Sequence, residues 1–368
     1  MIIHDWDTCK NILCVRLDNI GDVLMTTPAI RALKESCAGR KITLLASSSG
    51  AKLSGLIPEI DNIIIYDAPW IKATALVHNS KFEYTMVECL RQGRFDAAII
   101  FTVYTQNPLP SAFLCYLADI PLRLAYCHEN PYQLLTHWLP DPEPKQYTRH
   151  EVRRQLDLVA AIGCHTTDER ISLSVPFQAR AKVLTILREI NREKKRPWVV
   201  MHTGASAPSR RYPPESFAAV ARCFAEETGS LLILSGSESE QELVHTIQNM
   251  IGVPSYSLAG KLNFSELSAL ISYSSLLISN NTAPVHVASA LGVPVVDLYA
   301  LTNPQHTPWK VPHHVLFHDV PCKYCYKSIC PEVHHNCLRL LSPGTVVSAA
   351  CELLREGVGQ SLEVLWGY

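Results

Sequence analysis

Short apolar runs and helix-length segments alternate along this 368-residue chain, and the alternation starts twice. In the first half 11–16 (NILCVR), 41–46 (KITLLA), 62–66 and 96–101 read as strands, and 23–35 and 84–92 as helices. Val23, Ala29, Ile30 and Leu33 recur at helical spacing. In the second half the strands are 198–202, 231–235, 276–279 and 294–299, and the helices 214–227, 238–250, 263–273 and 283–291. Strands this apolar must be covered on both faces, which demands parallel sheets flanked by helices. The prediction is an α/β chain of two doubly wound, Rossmann-like domains, with a linker near 172–177 and no internal sequence repeat. Ligands of such folds bind beyond the carboxyl ends of the strands.

Composition narrows the function. The 33 Lys and Arg residues nearly cancel 34 Asp and Glu, so a broad nucleic-acid-binding face is not expected, while a local basic site for a phosphate is. The N-terminus carries acidic residues and no long apolar stretch, which argues against an export signal, and no run reaches the ~18–20 apolar residues of a membrane span. Thirteen cysteines, an odd number mostly scattered singly in apolar surroundings, read as free thiols of a cytoplasmic protein.

Three loops after predicted strands hold the reactive residue types. In 16–23 (RLDNIGDV) Gly21 is expected to turn the backbone just ahead of a helix, which puts Asp22 at the helix N-terminus. Spacing alone favours Asp22 as a cap over a reactive carboxylate. In 202–213 (HTGASAPSRRYP) small residues permit close approach, Ser206 and Ser209 offer hydroxyls, and Arg210 or Arg211 offers charge. That set suits a diphosphate, and equally a solvated loop. In 279–286 (SNNTAPVH) Asn or Thr caps a helix with Pro284 in its first turn, and free amides there, with His286 one turn in, would receive an anion. A purely structural cap reads the same way.

Together, RLDNIGDVLMTTPAIRALKE at 16–35, HTGAS followed by RRYPPESF, NNTAPVHVASALGVPVV, and YALTNPQHTPW at 299–309 resemble glycosyltransferase family 9, the heptosyltransferase family. The motifs span nearly the whole chain in the family's order. The resemblance implies a GT-B fold whose two Rossmann-like domains face an interdomain cleft. The acceptor would lie against domain 1–175 and the nucleotide sugar against domain 176–344, with the helical segment 345–368 packing back on the first domain. It further implies inverting transfer of a sugar, foremost heptose from ADP-heptose, to a lipopolysaccharide-core or related cell-surface glycan. Asp22 matches the general base. Ser206 and Arg210, with Arg211 beside it, match the groups that hold the donor diphosphate, and Glu240 matches a nucleotide-side carboxylate. Asn281, Thr282, Ala283 and His286 form the helix start at the donor, and Thr302 lies in the positioning loop 299–309. No catalytic metal is implied, because Arg210 and the helix would neutralise the departing diphosphate.

The chain departs from the family at two places. Asn281-Thr282-Ala283 replaces a common Asp-Thr-Gly, and Tyr299-Ala300-Leu301-Thr302 replaces Phe-Gly-Pro-Thr. Amide for carboxylate removes a charge and adds donors, which bears on donor identity. Two alternatives stay open: a transferase or epimerase using another nucleotide sugar, and a non-catalytic nucleotide-sugar-binding or assembly protein. A lipid-linked acceptor would bring the protein to the inner face of the cytoplasmic membrane by peripheral contact. Arg149, Arg153 and Arg154 could meet an anionic acceptor, but they read rather as the solvated basic face of a helix.

A separate cluster, Cys322, Cys325, Cys330 and Cys337, lies with His334 and His335 in one short stretch. Four thiolates complete a tetrahedral zinc or iron site, which would be structural and would pin a loop. Free or redox-sensitive thiols are the other reading.

Overall fold

The computed structural model describes residues 6–71, 79–191 and 197–357. The chain divides into two compact units, Met1–Ser174 and Val175–Tyr368. In the first, strands β1 (Asn11–Arg16), β2 (Lys41–Ala46), β3 (Asn62–Ile65), β4 (Ala97–Ile100), β5 (Leu122–Cys127) and β6 (His137–Pro140) form a sheet in the order β3-β2-β1-β4-β5-β6. In the second, β7 (Trp198–His202), β8 (Leu231–Ser235), β9 (Ser255–Ser257), β10 (Leu276–Asn280), β11 (Val295–Leu298) and β12 (His313–Leu316) take the order β12-β11-β10-β7-β8-β9. All neighbouring pairs are parallel. The winding is therefore the same in both units although the sequence shows no repeat. In each, strand order reverses between the first and fourth strands, β1 and β4 or β7 and β10, and the loops there part to leave a crevice.

Helices α1 (Ile20–Ser36), α2 (Lys81–Gln92), α3 (Leu109–Leu117) and α4 (Glu151–Ala160) belong to the first unit. The second holds α5 (Phe177–Ile190), α6 (Pro214–Thr228), α7 (Gln241–Ile251), α8 (Phe264–Ser272), α9 (Ala283–Leu291), the short α10 (Asn336–Arg339) and α11 (Pro343–Gly357). Central strands are buried along their whole length, as β4 (AAII), β7 (WVVMH) and β10 (LLISN) show, so their polar chemistry is confined to the ends. Strands β6, β9 and β12 escape the sequence pattern because sheet edges need no continuous apolar run: their residues are HWLP, SYS and HHVL. Strand β5 escapes it because Arg123 interrupts LRLAYC, yet that guanidinium is sheathed by the carbonyls of Leu134 and Gln133, each at 2.8 Å.

Helix α11 packs on α6, and its Val346, Ala350, Leu353 and Leu354 join the second unit's core. Residues 358–368, the rest of the segment expected to pack back on the first domain, lie outside the described ones. The expected solvated basic face at 149–154 is corrected for Arg149 and Arg154, while Arg153 keeps an exposed side chain beside Glu169. Arg154 is buried between Asp141 (2.7 Å) and Glu143 (2.6 Å), and Arg149 pairs with Glu143 (3.0 Å) and Asp157 (2.8 Å). The guanidiniums are spent on structure because the acidic 141–143 turn folds over α4.

In the second core Phe217 of α6 meets Tyr212 edge-on, ring centroids 5.2 Å apart. Phe217→Ala is expected to lower the unfolding free energy of this unit by about 3–5 kcal/mol. Urea unfolding followed by circular dichroism reads the loss.

Candidate active site

Strand β1 ends in Arg16, fully buried and facing three carboxylates. Its Nη1 lies 2.9 Å from Glu151 Oε1, its Nε 3.0 Å from Asp18 Oδ2 and its Nη2 3.4 Å from Asp22 Oδ1. Glu151, the first residue of α4, is buried as well and also accepts from Gln155 Nε2 at 2.6 Å. Burial pushes the Asp18 carboxyl up to about 6; Arg16 pulls it down, and the charges of Asp22 and Glu151 add to the rise.

Asp22 stands in the first turn of α1, where Asn19 and Asp22 form a capping box: the Asn19 amide donates to Asp22 Oδ2 at 3.2 Å. The capping role is therefore real, and it engages one oxygen. The other faces Arg16, with the side chain 16% exposed. Gly21 is corrected: it lies within the first turn of α1 in helical conformation, and the turn before it is made by Leu17, Asp18 and Asn19. Beside these residues a cavity of about 470 Å³ opens at the carboxyl ends of β1 and β4, with Leu17, Asp18, Trp70, Phe101 and Gln106 in its walls.

In the second unit the loop after β7 and the helix start after β10 meet through Asn280. Its Oδ1 accepts from the Tyr212 amide at 3.0 Å, and its Nδ2 donates to the carbonyls of Thr203 (2.8 Å) and Gly204 (3.3 Å). Sequence reading passed over Asn280, since one amide ending an apolar strand carries no signal of its own. Ser206 is exposed on this loop, and Arg210 is half-buried. Arg211 is turned back on the loop, its Nε donating to the Ala205 carbonyl at 2.8 Å. Glu240 closes a capping box by accepting from the Ser237 amide at 2.7 Å. Its carboxylate occupies the space beside Gly204 that a Cβ would enter, so a side chain there would displace it.

Thr282 caps α9, with Ala283 and Pro284 opening it and His286 buried one turn in. Asn281 is directed inward: its Nδ2 donates to Asp297 Oδ2 and to the His306 carbonyl, both at 2.9 Å. Asn281 thus acts by tying the ends of β10 and β11 together. Asp297, missed from sequence because it sits inside a buried strand, is fully enclosed, and its Oδ1 has no hydrogen-bond partner among the described residues. Burial drives its carboxyl well above the ordinary range, against the pull of Asn281 and the charge of Arg210.

The cysteine loop adjoins this site. The backbone amide of Ser209 donates to the Ser328 carbonyl at 3.1 Å, and its hydroxyl donates to the Lys327 carbonyl at 2.8 Å. Thr302 holds the same loop by accepting from the Tyr326 amide at 2.8 Å. Cys322, Cys325, Cys330 and Cys337 line one cavity of about 20 Å³ with His334, whose Nε2 lies 3.7 Å from Cys322 Sγ. In this arrangement no three His, Cys, Asp or Glu side chains among the described residues converge as a metal-holding set.

The family described as glycosyltransferase family 9 (heptosyltransferase) matches residues 84–335. The chain belongs to this family. It is a glycosyltransferase, and its two parallel six-stranded sheets are those of the GT-B fold. A lipooligosaccharide heptosyltransferase 2 of Campylobacter jejuni is 25% identical over 347 residues, which cover 91% of this chain and 96% of that relative. Among solved structures, a family 9 glycosyl transferase from Veillonella parvula superposes with TM-score 0.77 at 22% identity, covering 96% of this chain and 98% of its own. The Escherichia coli ADP-heptose LPS heptosyltransferase II gives TM-score 0.71 at 22% identity, covering 94% and 99%.

Because one amide organises the loop after β7, Asn280→Ala is expected to cost about 1–3 kcal/mol and to strip hydrogen-exchange protection from the Tyr212 amide. Exchange measured residue by residue checks it.

Proposed function

We propose that this family 9 enzyme transfers heptose from ADP-heptose, with inversion, to a sugar hydroxyl of a lipopolysaccharide-core or related cell-surface glycan. The observation that carries the reading is Asp22: a carboxylate that keeps one oxygen outside its cap, at the carboxyl end of β1, where a family 9 chain places its reactive loop. The relatives named above, called heptosyltransferases, support the sugar.

In the step proposed, Asp22 takes the proton of the acceptor hydroxyl as that oxygen bonds to the anomeric carbon. The bond from that carbon to the diphosphate oxygen breaks from the opposite side, and its electron pair leaves with ADP. Arg210 and the first-turn amides of α9 neutralise the charge that develops there. Ser206 adds a hydroxyl to the phosphates, Glu240 accepts from the nucleotide's ribose, and Thr282, Ala283 and His286 shape the start of α9. The raised Asp297 carboxyl weakens its claim on the Arg210 charge, which stays available to the donor.

A lipid-linked acceptor places the reaction at the inner face of the cytoplasmic membrane, reached from the surface; no helix among the described residues is long and apolar enough to cross it. The four cysteines would hold one structural zinc or iron. The soft thiolate set and the shared cavity favour it, and binding of the ion would be coupled to local ordering of the loop.

Asp22→Asn retains an oxygen for the cap and removes the base. It is expected to lower kcat by about 10²–10⁴ with ADP affinity within a few-fold, in steady-state assays with ADP-heptose and a purified lipopolysaccharide acceptor. In the same assays Arg210→Ala should weaken ADP binding about tenfold or more. Unchanged turnover in Asp22→Asn removes it as base. For the cysteines, elemental analysis should find about one zinc or iron per chain; less than about one-tenth rejects the ion.

A further inference from the structure

The cavity at the carboxyl ends of β1 and β4 has two unlike sides. Leu17, Trp70 and Phe101 supply an apolar wall, and Asp18, Gln106 and Asn107 supply polar groups. Tyr66 meets Trp70 edge-on at 5.6 Å, which fixes the orientation of the indole. A pyranose has the matching shape, with C–H faces that pack on an aromatic ring and an edge of hydroxyls. At about 470 Å³ the space lies in the range of small-molecule sites.

The charge of the site is as informative as its shape. Among the described lining residues there is no Lys, Arg or His, and the one charged group is the Asp18 carboxylate. The neighbouring cation, Arg16, is already shared among Asp18, Asp22 and Glu151. A sugar bearing a carboxylate or phosphate would bring another anion against an uncompensated excess of negative charge, which selects by repulsion.

Asp18 spends Oδ2 on Arg16 Nε at 3.0 Å and Oδ1 on the Gln106 amide. Each carboxylate oxygen has a second acceptor site, so a hydroxyl can still be received. The guanidinium that holds Asp18 also holds Asp22, so the carboxylate at the cavity wall and the proposed base share one cation.

We propose that this cavity receives one uncharged sugar ring as the acceptor, with Asp18 accepting a ring hydroxyl and Trp70 covering a ring face, and that Asp18 thereby selects neutral over acidic acceptors. The inference rests on the proposed transfer with Asp22 as base and goes further by naming the acceptor's chemistry and a specificity-determining residue.

Saturation-transfer NMR on the full-length protein, with ADP present, tests it against two probes: a methyl heptopyranoside and the methyl glycoside of an acidic 3-deoxyulosonic sugar. ADP binding is measured in parallel by calorimetry. The neutral probe should give a signal at least fivefold stronger than the acidic one. Asp18→Asn should cut the neutral signal severalfold and raise the acidic one, a reversal that mere loosening of the fold would not produce. Trp70→Ala and Gln106→Ala, which leave the Arg16 contacts in place, should weaken the neutral probe alone and carry the test if Asp18→Asn does not fold. All three variants should bind ADP within twofold of the parent chain.

Equal or stronger binding of the acidic probe, no signal from either probe, or a neutral signal indifferent to both Asp18→Asn and Trp70→Ala overturns the proposal. Loss of ADP binding in the parent chain would instead overturn the nucleotide-sugar reading, so the two failures are told apart.

Discussion

Arg16 is a guanidinium at the end of a central strand with no access to water, and burying such a charge without partners costs several kcal/mol. Three carboxylates make the position tenable. Glu151, 135 residues further along the chain, reaches it from α4, while Asp18 and Asp22 reach it from the loop and first turn that follow β1. One interaction therefore docks α4 beside α1, orders the turn before α1, and orients the Asp22 carboxylate proposed as the base. The three anions outnumber the one cation; burial is the main cause of the rise of the Asp18 carboxyl to about 6, and the charges of Asp22 and Glu151 add to it. A proton taken up by Asp22 would relieve the excess of anion.

The second unit meets the same topology with different forces. Its crevice is organised by neutral amides and backbone carbonyls: Asn280 ties the loop after β7 to the start of α6, Asn281 ties β10 to β11, and Ser209 anchors the cysteine loop. A diphosphate needs positive charge that no fixed anion has already neutralised. Here the fully buried Asp297 carboxyl is pushed toward its neutral form, which fits the proposed use of Arg210 by the ligand. The end proposed to accept the proton is thus built with surplus anion, and the end proposed to bind phosphate with restrained anion. Each arrangement suits the charge that the transfer step develops at that end.

Much of the fold could be read from the chain. Runs such as NILCVR, KITLLA, WVVMH and LLILS become strands because they are buried on both faces, and amphipathic stretches between them become helices. Edge strands β6, β9 and β12 were illegible, because exposure on one side removes the need for apolar continuity. Asp22, Arg210 and Thr282 were legible as loop residues following strands. What each one touches was not: the Asn281 amide donates to Asp297 and so braces two strands, and Gly21, read as a turn, lies inside a helix.

By itself the sequence determined the class of fold, the two-unit division and the loops that carry polar chemistry, because burial periodicity and strand-end position are local properties of a chain. Only the tertiary structure decided that Arg16 gathers Glu151 from far along the chain, that Asp297 is enclosed behind Asn281, that the apolar face of α11 joins the core around α6, and that a two-sided cavity opens next to Asp18. Those outcomes depend on which side chains meet across distant segments. Burial and charge at such meetings are set by neighbours that no local pattern specifies.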